Sequence, residues 1–153
     1  MKIRDATAAD VPELDRLWRA FENELPESPW VDVDIEQQLR GLADAVAHEV
    51  AVVAEDIDGT VAGFALALRA GRRLGRISHL YVAPAARGRG LATRIARCVV
   101  ERLRELGVDT VRLEVLAGNA RARAIYARWG FYEEELTLVT SLDALAQRLT
   151  DDK

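Results

Sequence analysis

One cysteine stands in 153 residues, Cys98, so no disulfide closes within the chain and no cysteine zinc site is available. No apolar run reaches the length that spans a membrane, and the N-terminal MKIRDATAAD lacks the apolar core of a signal peptide. A reducing, cytoplasmic location is the resulting expectation. Internal repeats, low-complexity segments and a linker that would divide the chain are also absent. With 50% hydrophobic and 30% charged residues the composition is that of an ordinary globular protein. Disorder, collagen-like repeats and a disulfide scaffold are excluded. The length suits one domain that buries most of its apolar surface without staples.

The net charge of −4 conceals a division along the chain. Residues 1–75 hold 8 Lys+Arg against 15 Asp+Glu, residues 76–132 hold 11 against 4, and residues 133–153 hold 2 against 6. An acidic front, a basic centre and an acidic tail suit a polyanionic ligand in the middle and a cationic one at the front. Unconnected solvated faces give the same segment charges. Nucleic acid is not the expected partner, because acidic segments flank the arginines on both sides and the whole chain is acidic.

Hydrophobic periodicity predicts a strand at Lys2-Ile3-Arg4 and then a helix running to about Glu24. Asp10, with Pro12 and Glu13 after it, reads as that helix's N-cap with a capping-box partner. Val11, Leu14, Leu17, Trp18 and Phe21 recur on one helical face. Pro26 and Pro29 break the chain in an acidic loop over 22–34, and a second helix is expected over 35–46. Strands over 49–56 and 61–69 flank the hairpin signal Asp58-Gly59. A third strand over 76–83 stops at Pro84, which has no donor for a ladder. A long helix follows over 90–106, its face traced by Leu91, Ile95, Val99, Arg102 and Leu106, with Cys98 and Leu103 flanking it and Gly107 closing it. A strand over 110–116, a helix over 120–129, a final strand over 131–140 and a short helix over 142–149 complete the chain. Hairpin-joined strands imply an antiparallel part and helix-separated strands a parallel crossover. The simplest assembly is an α/β architecture, a mixed sheet with helices on both faces.

Chemistry enters at Pro84-Ala85-Ala86-Arg87-Gly88-Arg89-Gly90-Leu91-Ala92, where a strand stops and an Arg-Gly-Arg-Gly turn runs into the long helix. The first turn of a helix presents unpaired N–H groups and the positive end of the macrodipole, which attract phosphate. Gly88 and Gly90 let the backbone approach an anion closely, and Ala92 keeps the helix start uncluttered. Arg87 and Arg89 add charge-assisted donors. The loop is not a Walker motif, since no Gly-Lys-Ser/Thr follows, and Gly-x-Gly-x-x-Gly is absent too.

Downstream, Arg87-x-x-Gly90-x-Ala92 is followed by Asn119-x-x-Ala122-x-x-x-Tyr126-x-x-x-Gly130-Phe131. This pair of motifs, in this order, resembles the GNAT superfamily of acetyl-CoA-dependent N-acetyltransferases, and the resemblance covers essentially the whole chain. It implies a single N-acetyltransferase domain over 1–153. The fold it implies is α/β, with a mixed, mostly antiparallel sheet, a central splayed parallel strand pair and helices on both faces. It also implies direct acetyl transfer from acetyl-CoA to a primary amine in a ternary complex, without a metal. The backbone of Leu80, Tyr81 and Val82 would pair with the pantetheine arm. Arg87, Gly88, Arg89, Gly90, Leu91 and Ala92 would hold the pyrophosphate, Asn119 would contact the cofactor, and Tyr126 would protonate the departing thiolate.

A phenol near a departing thiolate is a sound general acid on chemical grounds alone. A core aromatic sharing an apolar surface with Ile125 and Trp129 is the alternative for Tyr126. Glu114 is similar to the glutamate that serves as base in the protein N-terminal acetylating branch. An ordinary strand carboxylate paired with Arg112 or Arg76 is its alternative. Many relatives carry a glutamate near position 78, where this chain has Ser78. His79 is the second candidate base, and water relaying a proton to an acidic pocket is the third route.

The acceptor side holds Glu22, Glu24, Glu27, Asp32 and Asp34 with Phe21 and Trp30 among them. Carboxylates draw in a cation and aromatic faces hold its apolar part. Glu22 and Trp30 are the candidate acceptor contacts, and a polyamine, an amino-sugar or a protein amino group would fit. A non-catalytic acetyl-CoA sensor is the other reading, and it would keep the loop but dispense with Tyr126. No membrane partner is expected. Many family members dimerise, so a homodimer is among the assemblies the resemblance allows.

Overall fold

Where the apolar runs are free of charge, as in Val-Ala-Val-Val-Ala and Val-Ala-Gly-Phe-Ala-Leu-Ala-Leu, the chain forms strands buried on both faces. The computed structural model describes residues 1–28 and 34–151. In it β1 (Lys2–Asp5), β2 (Val50–Glu55), β3 (Val61–Arg69), β4 (Leu74–Val82) and β5 (Thr110–Leu113) make one sheet in the order 1-2-3-4-5. The first three pairings are antiparallel and β4–β5 is parallel. Asp56 shapes the β2–β3 turn, its Oδ1 accepting the N–H groups of Asp58 and Thr60 at 2.9 Å each.

Alternation along β2 and β3 divides the core into two layers. Val52, Ala54, Ala65 and Ala67 face α4 (Leu91–Glu105), meeting Leu91, Ile95, Val99 and Leu103. Ala51, Val53, Phe64 and Leu66 face the other way, onto Leu14, Leu17 and Trp18 of α1 (Val11–Glu24) and Leu42 of α3 (Leu42–His48). Small alanines on the α4 side let that helix lie close. Each fully buried Leu or Ile contributes about 1.5–3 kcal/mol. The mixed α/β sheet with helices on both faces is therefore the fold expected from the sequence.

The described residues cluster into two compact units. Met1–Leu25 with Asp34–Glu114 holds the sheet and α1 to α4, including α2 (Ile35–Arg40). Residues 26–28 and 115–151 form the second, with α5 (Ala120–Arg128) and α6 (Leu142–Asp151). No helix among the described residues is long and apolar enough to cross a membrane.

Several expectations are corrected. Asp10 does not cap α1 with its side chain. It accepts instead from the Thr7 N–H at 2.7 Å and from both terminal nitrogens of Arg4 at 2.8 Å, which holds its carboxyl down at about 2. The helix expected over 35–46 breaks at Gly41 into α2 and α3. On α4 the buried face carries Leu103, while Arg102 reaches Asp5 of β1 (2.9 and 3.0 Å) and Leu106 stays exposed. The strand expected over 110–116 ends at Leu113. The strand expected over 131–140 is irregular, because its own unit offers it no strand to pair with among the described residues.

Gly63 marks a tight crossing of sheet and helix. A Cβ there would lie 2.9 Å from the Tyr81 carbonyl oxygen and 3.1 Å from Ile95 Cδ1. The carbonyl belongs to a paired strand and cannot yield. Gly63→Ala is expected to destabilise the protein by about 1–3 kcal/mol in urea unfolding. An unchanged midpoint would contradict this packing of α4 on β3.

Candidate active site

β4 outruns its parallel neighbour. Only Leu74 to Ile77 pair with Thr110 to Leu113, whereas the β3 pairing continues to Val82. Residues 78–82 therefore have no strand on the β5 side among the described residues. A bulge sits where the two strands part: Leu66 faces His79, the next residue Ala67 faces Ile77, and Ser78 is the extra residue. Its Oγ donates to the Leu66 carbonyl at 3.1 Å. A bulge re-aims the side chains beyond it. Ile77, Leu80 and Val82 join the α4 layer, while Tyr81 joins the α1 layer and His79 stacks among its aromatic rings.

Beyond Val82 the chain makes a short 3-10 turn, Pro84–Ala86, and enters the glycine loop. Gly88 (φ +77°) and Gly90 (φ +70°) both adopt the left-handed conformation. An added Cβ at either would meet nothing within 4 Å, so the loop borders open space. The first bond of α4 runs from the Arg94 N–H to the Gly90 carbonyl at 3.2 Å. The N–H groups of Leu91, Ala92 and Thr93 precede it and have no helical acceptor. Exposed Arg89 lies between the glycines. This is a cradle fit for a phosphate group.

Arg87 is committed within the protein. Its Nε donates to the Val82 carbonyl at 2.7 Å and a terminal nitrogen to Glu24 at 2.6 Å. Its guanidinium carbon lies 5.4 Å from the centre of the Tyr81 ring. The Tyr81 hydroxyl donates to the other oxygen of Glu24 at 2.6 Å. Burial, and then the Glu24 carboxylate, push that phenol up to about 12.

The α1 side of β4 is an aromatic shelf. The His79 ring centre is 3.9 Å from Trp18, 5.6 Å from Phe21 and 6.3 Å from Phe64. Its Nδ1 is buried without a hydrogen-bond partner among the described residues. Burial, reinforced by the Arg76 charge, holds the imidazole down at about 4. His79 is thus neutral at physiological pH but only a weak base. Glu22 accepts from the Trp18 indole N–H at 3.3 Å. Exposed Glu114 accepts from Arg76 at 2.9 Å, the structural pairing named as its alternative. Trp30 lies outside the described residues.

In the second unit, Asn119 caps α5, its Oδ1 accepting the Ala122 N–H at 3.2 Å. Tyr126 meets Trp129 and Phe131 edge-on, with ring centres 5.9 and 5.8 Å away. Burial raises its hydroxyl pKa. The first unit gathers Glu22, Leu80, Tyr81, Val82, Glu114 and the loop, and the second holds Asn119 and Tyr126. Sequence reasoning misses Glu24 as a partner of Tyr81 and Arg87, because 57 and 63 residues separate them. The Trp18–Glu22 bond was legible in principle from its helical i, i+4 spacing.

The model of the acetyltransferase (GNAT) family matches residues 11–131. A ribosomal-protein-alanine N-acetyltransferase from Brucella melitensis is 31% identical with a TM-score of 0.69, over 88% of this chain and 86% of that one. A Mycobacterium tuberculosis protein solved in complex with CoA is 26% identical with a TM-score of 0.69, over 100% of this chain and 84% of that one. The mycothiol acetyltransferase of Beutenbergia cavernae is 47% identical over 57 residues, 37% of this chain. The chain spans 19% and 39% of the lengths of the two curated relatives it matches. It belongs to the acetyltransferase (GNAT) family.

The caged imidazole sets a pH dependence of stability. Its folded pKa, about 4, lies below the ordinary 6.5, so the unfolded chain binds a proton that the folded chain refuses. The resulting loss begins as pH falls through 6.5 and is complete near 4, with a slope of at most about 1.4 kcal/mol per pH unit. Urea unfolding across this range should show a flatter profile for His79→Phe than for the wild type. Parallel profiles would place the imidazole in contact with water.

Proposed function

We propose that, as a member of this family, the chain transfers the acetyl group of acetyl-CoA directly to a primary amine in a ternary complex. The acceptor is a small cationic amine or a protein or peptide amino group. The observation that carries this reading is the end of β4. A strand edge over 78–82, with no strand on its β5 side among the described residues, leads into a glycine loop with left-handed Gly88 and Gly90 at the start of α4. The names of the relatives, acetyltransferases of mycothiol and of ribosomal-protein alanine, support amine acetylation. The family match runs through residues of both units, which supports one acetyltransferase domain over 1–153.

Acetyl-CoA supplies an activated acetyl thioester. The backbone of Leu80, Tyr81 and Val82 binds its pantetheine arm and offers an N–H to polarise the carbonyl. Gly88, Arg89, Gly90, Leu91 and Ala92 hold the pyrophosphate, with Arg87 at the start of the loop and Asn119 as a further contact. The Tyr126 hydroxyl, kept protonated by burial, holds the proton for the leaving sulfur. Glu22 and the aromatic shelf receive the cationic acceptor, with Trp30 as the second contact. Glu114 is the base in this reading, ahead of His79, whose imidazole is held at about 4.

Thiol release from acetyl-CoA across polyamines, aminoglycosides, amino acids and peptide N-termini tests the proposal. Turnover is expected with one cationic class, falling about a hundredfold in Tyr126→Phe while acetyl-CoA affinity holds. Equal turnover of the variant at saturating substrate, with chemistry limiting, would remove Tyr126 as the acid. Calorimetric titration of Gly90→Glu should show no acetyl-CoA binding, since a carboxylate then stands where phosphate belongs and φ is positive. Retained affinity would put the phosphates elsewhere.

A further inference from the structure

The last turn of α1 carries Glu22 and Glu24 and no basic residue. A carboxylate at a helix C-terminus meets the negative end of the macrodipole, so helix stability does not account for Glu24. Its carboxylate bridges two groups of the candidate site. One oxygen accepts from the Tyr81 hydroxyl on β4 and the other from Arg87 at the start of the loop, each at 2.6 Å. Arg87 in turn ties back to β4 through the Val82 carbonyl and lies over the Tyr81 ring. Three sides of the guanidinium are thus occupied by groups that precede the loop. The next residues include two glycines in the left-handed conformation, which lose more conformational freedom on ordering than any others. A loop of this kind binds an anion more tightly when its start is already fixed, because less ordering remains to be done on binding.

We infer that Glu24 is a positioning residue, which holds Arg87 and Tyr81 and thereby fixes the glycine loop in its anion-binding form. This rests on the reading of the loop as the acetyl-CoA site. Arg87 is then a brace of the loop rather than a ligand of the phosphates. The consequence runs against simple electrostatics: a negative side chain beside a polyanion site strengthens binding. If Arg87 were instead a direct phosphate ligand, removing Glu24 would release it and tighten binding. The two arrangements predict opposite signs.

Isothermal titration of acetyl-CoA into wild type, Glu24→Ala, Arg87→Ala, the double variant and Glu24→Gln separates them. The Kd is expected to rise about tenfold in Glu24→Ala, the scale of one charge-assisted hydrogen bond. The double variant should bind no more weakly than Arg87→Ala, because one residue acts through the other. Glu24→Gln keeps one acceptor oxygen and should fall between wild type and alanine. It carries the test if melting without ligand shows Glu24→Ala to be unfolded. Unchanged or tighter binding by Glu24→Ala, or additive losses in the double variant, would overturn the inference while leaving the proposed function intact. A wild type that binds no acetyl-CoA would remove both.

Discussion

A parallel strand pair that stops after four residue pairs leaves residues 78–82 of β4 with no strand on the β5 side among the described residues, and the proposed site is organised around that open edge. Backbone N–H and C=O groups must find partners when water is excluded. β4 pairs with β3 as far as Val82, Ser78 excepted, and with β5 only as far as Ile77, and the Val82 carbonyl accepts from Arg87. An extended, amide-bearing ligand complements such an edge, as in other strand-addition modes of recognition. The bulge at Ser78 stands at the point of parting, so one irregularity both ends the shared register and turns the following side chains. In the proposed reading the glycine loop would then be a second ligand-binding element directly after the first in sequence.

Charge acts more locally than its distribution along the sequence implies. The basic centre and acidic front neutralise one another in part: Arg102 pairs with Asp5 and Arg87 with Glu24, both across the segment boundary. Within the centre Arg76 pairs with Glu114, and Arg123 pairs with Glu133 of the tail. Exposed pairs of this kind contribute about 0–1 kcal/mol each, so their weight lies in geometry. Arg87 is the clearest case. Its charge is already balanced, and what it provides is the fixed position of the residue that opens the loop.

The strands, the long helix and the loop were legible because each is a local pattern. The strand over 61–69 and its Asp58-Gly59 turn follow from alternation and turn chemistry alone. Gly88 and Gly90 both take a positive φ, a conformation that favours glycine whatever binds there. What sequence could not provide is register. Ser78 is a bulge only by reference to Leu66 and Ala67, more than ten residues away on another strand. Asp10 looked like a cap because its local spacing was right, but Arg4 and Thr7 claim the carboxylate first. On α4, Leu103 rather than Leu106 completes the buried row, since the contact with Val108 and Gly75 falls one turn earlier. The segment over 131–140 has the alternation of a strand, yet a strand exists only where a neighbour accepts its hydrogen bonds.

The bulge also separates what binds the cosubstrate from what meets the acceptor in the proposed reaction. The pantetheine arm would be held by main-chain groups of residues 80–82, which every side chain there leaves unaltered. The side chains themselves divide: Leu80 and Val82 turn to the α4 core, and His79 and Tyr81 to α1. Substitution at Trp18, Phe21, Glu22 or His79 would therefore change the acceptor shelf and leave the strand edge and the glycine loop, whereas Tyr81 and Glu24 on the same face are tied to Arg87 at the start of that loop. The two sequence motifs that resemble the family lie in the loop and at α5, whereas the shelf is Trp18, Phe21, Glu22 and His79. In the proposed reaction acceptor choice would then lie with the shelf and not with the loop, in a neutral imidazole, two apolar rings and a carboxylate at the end of α1.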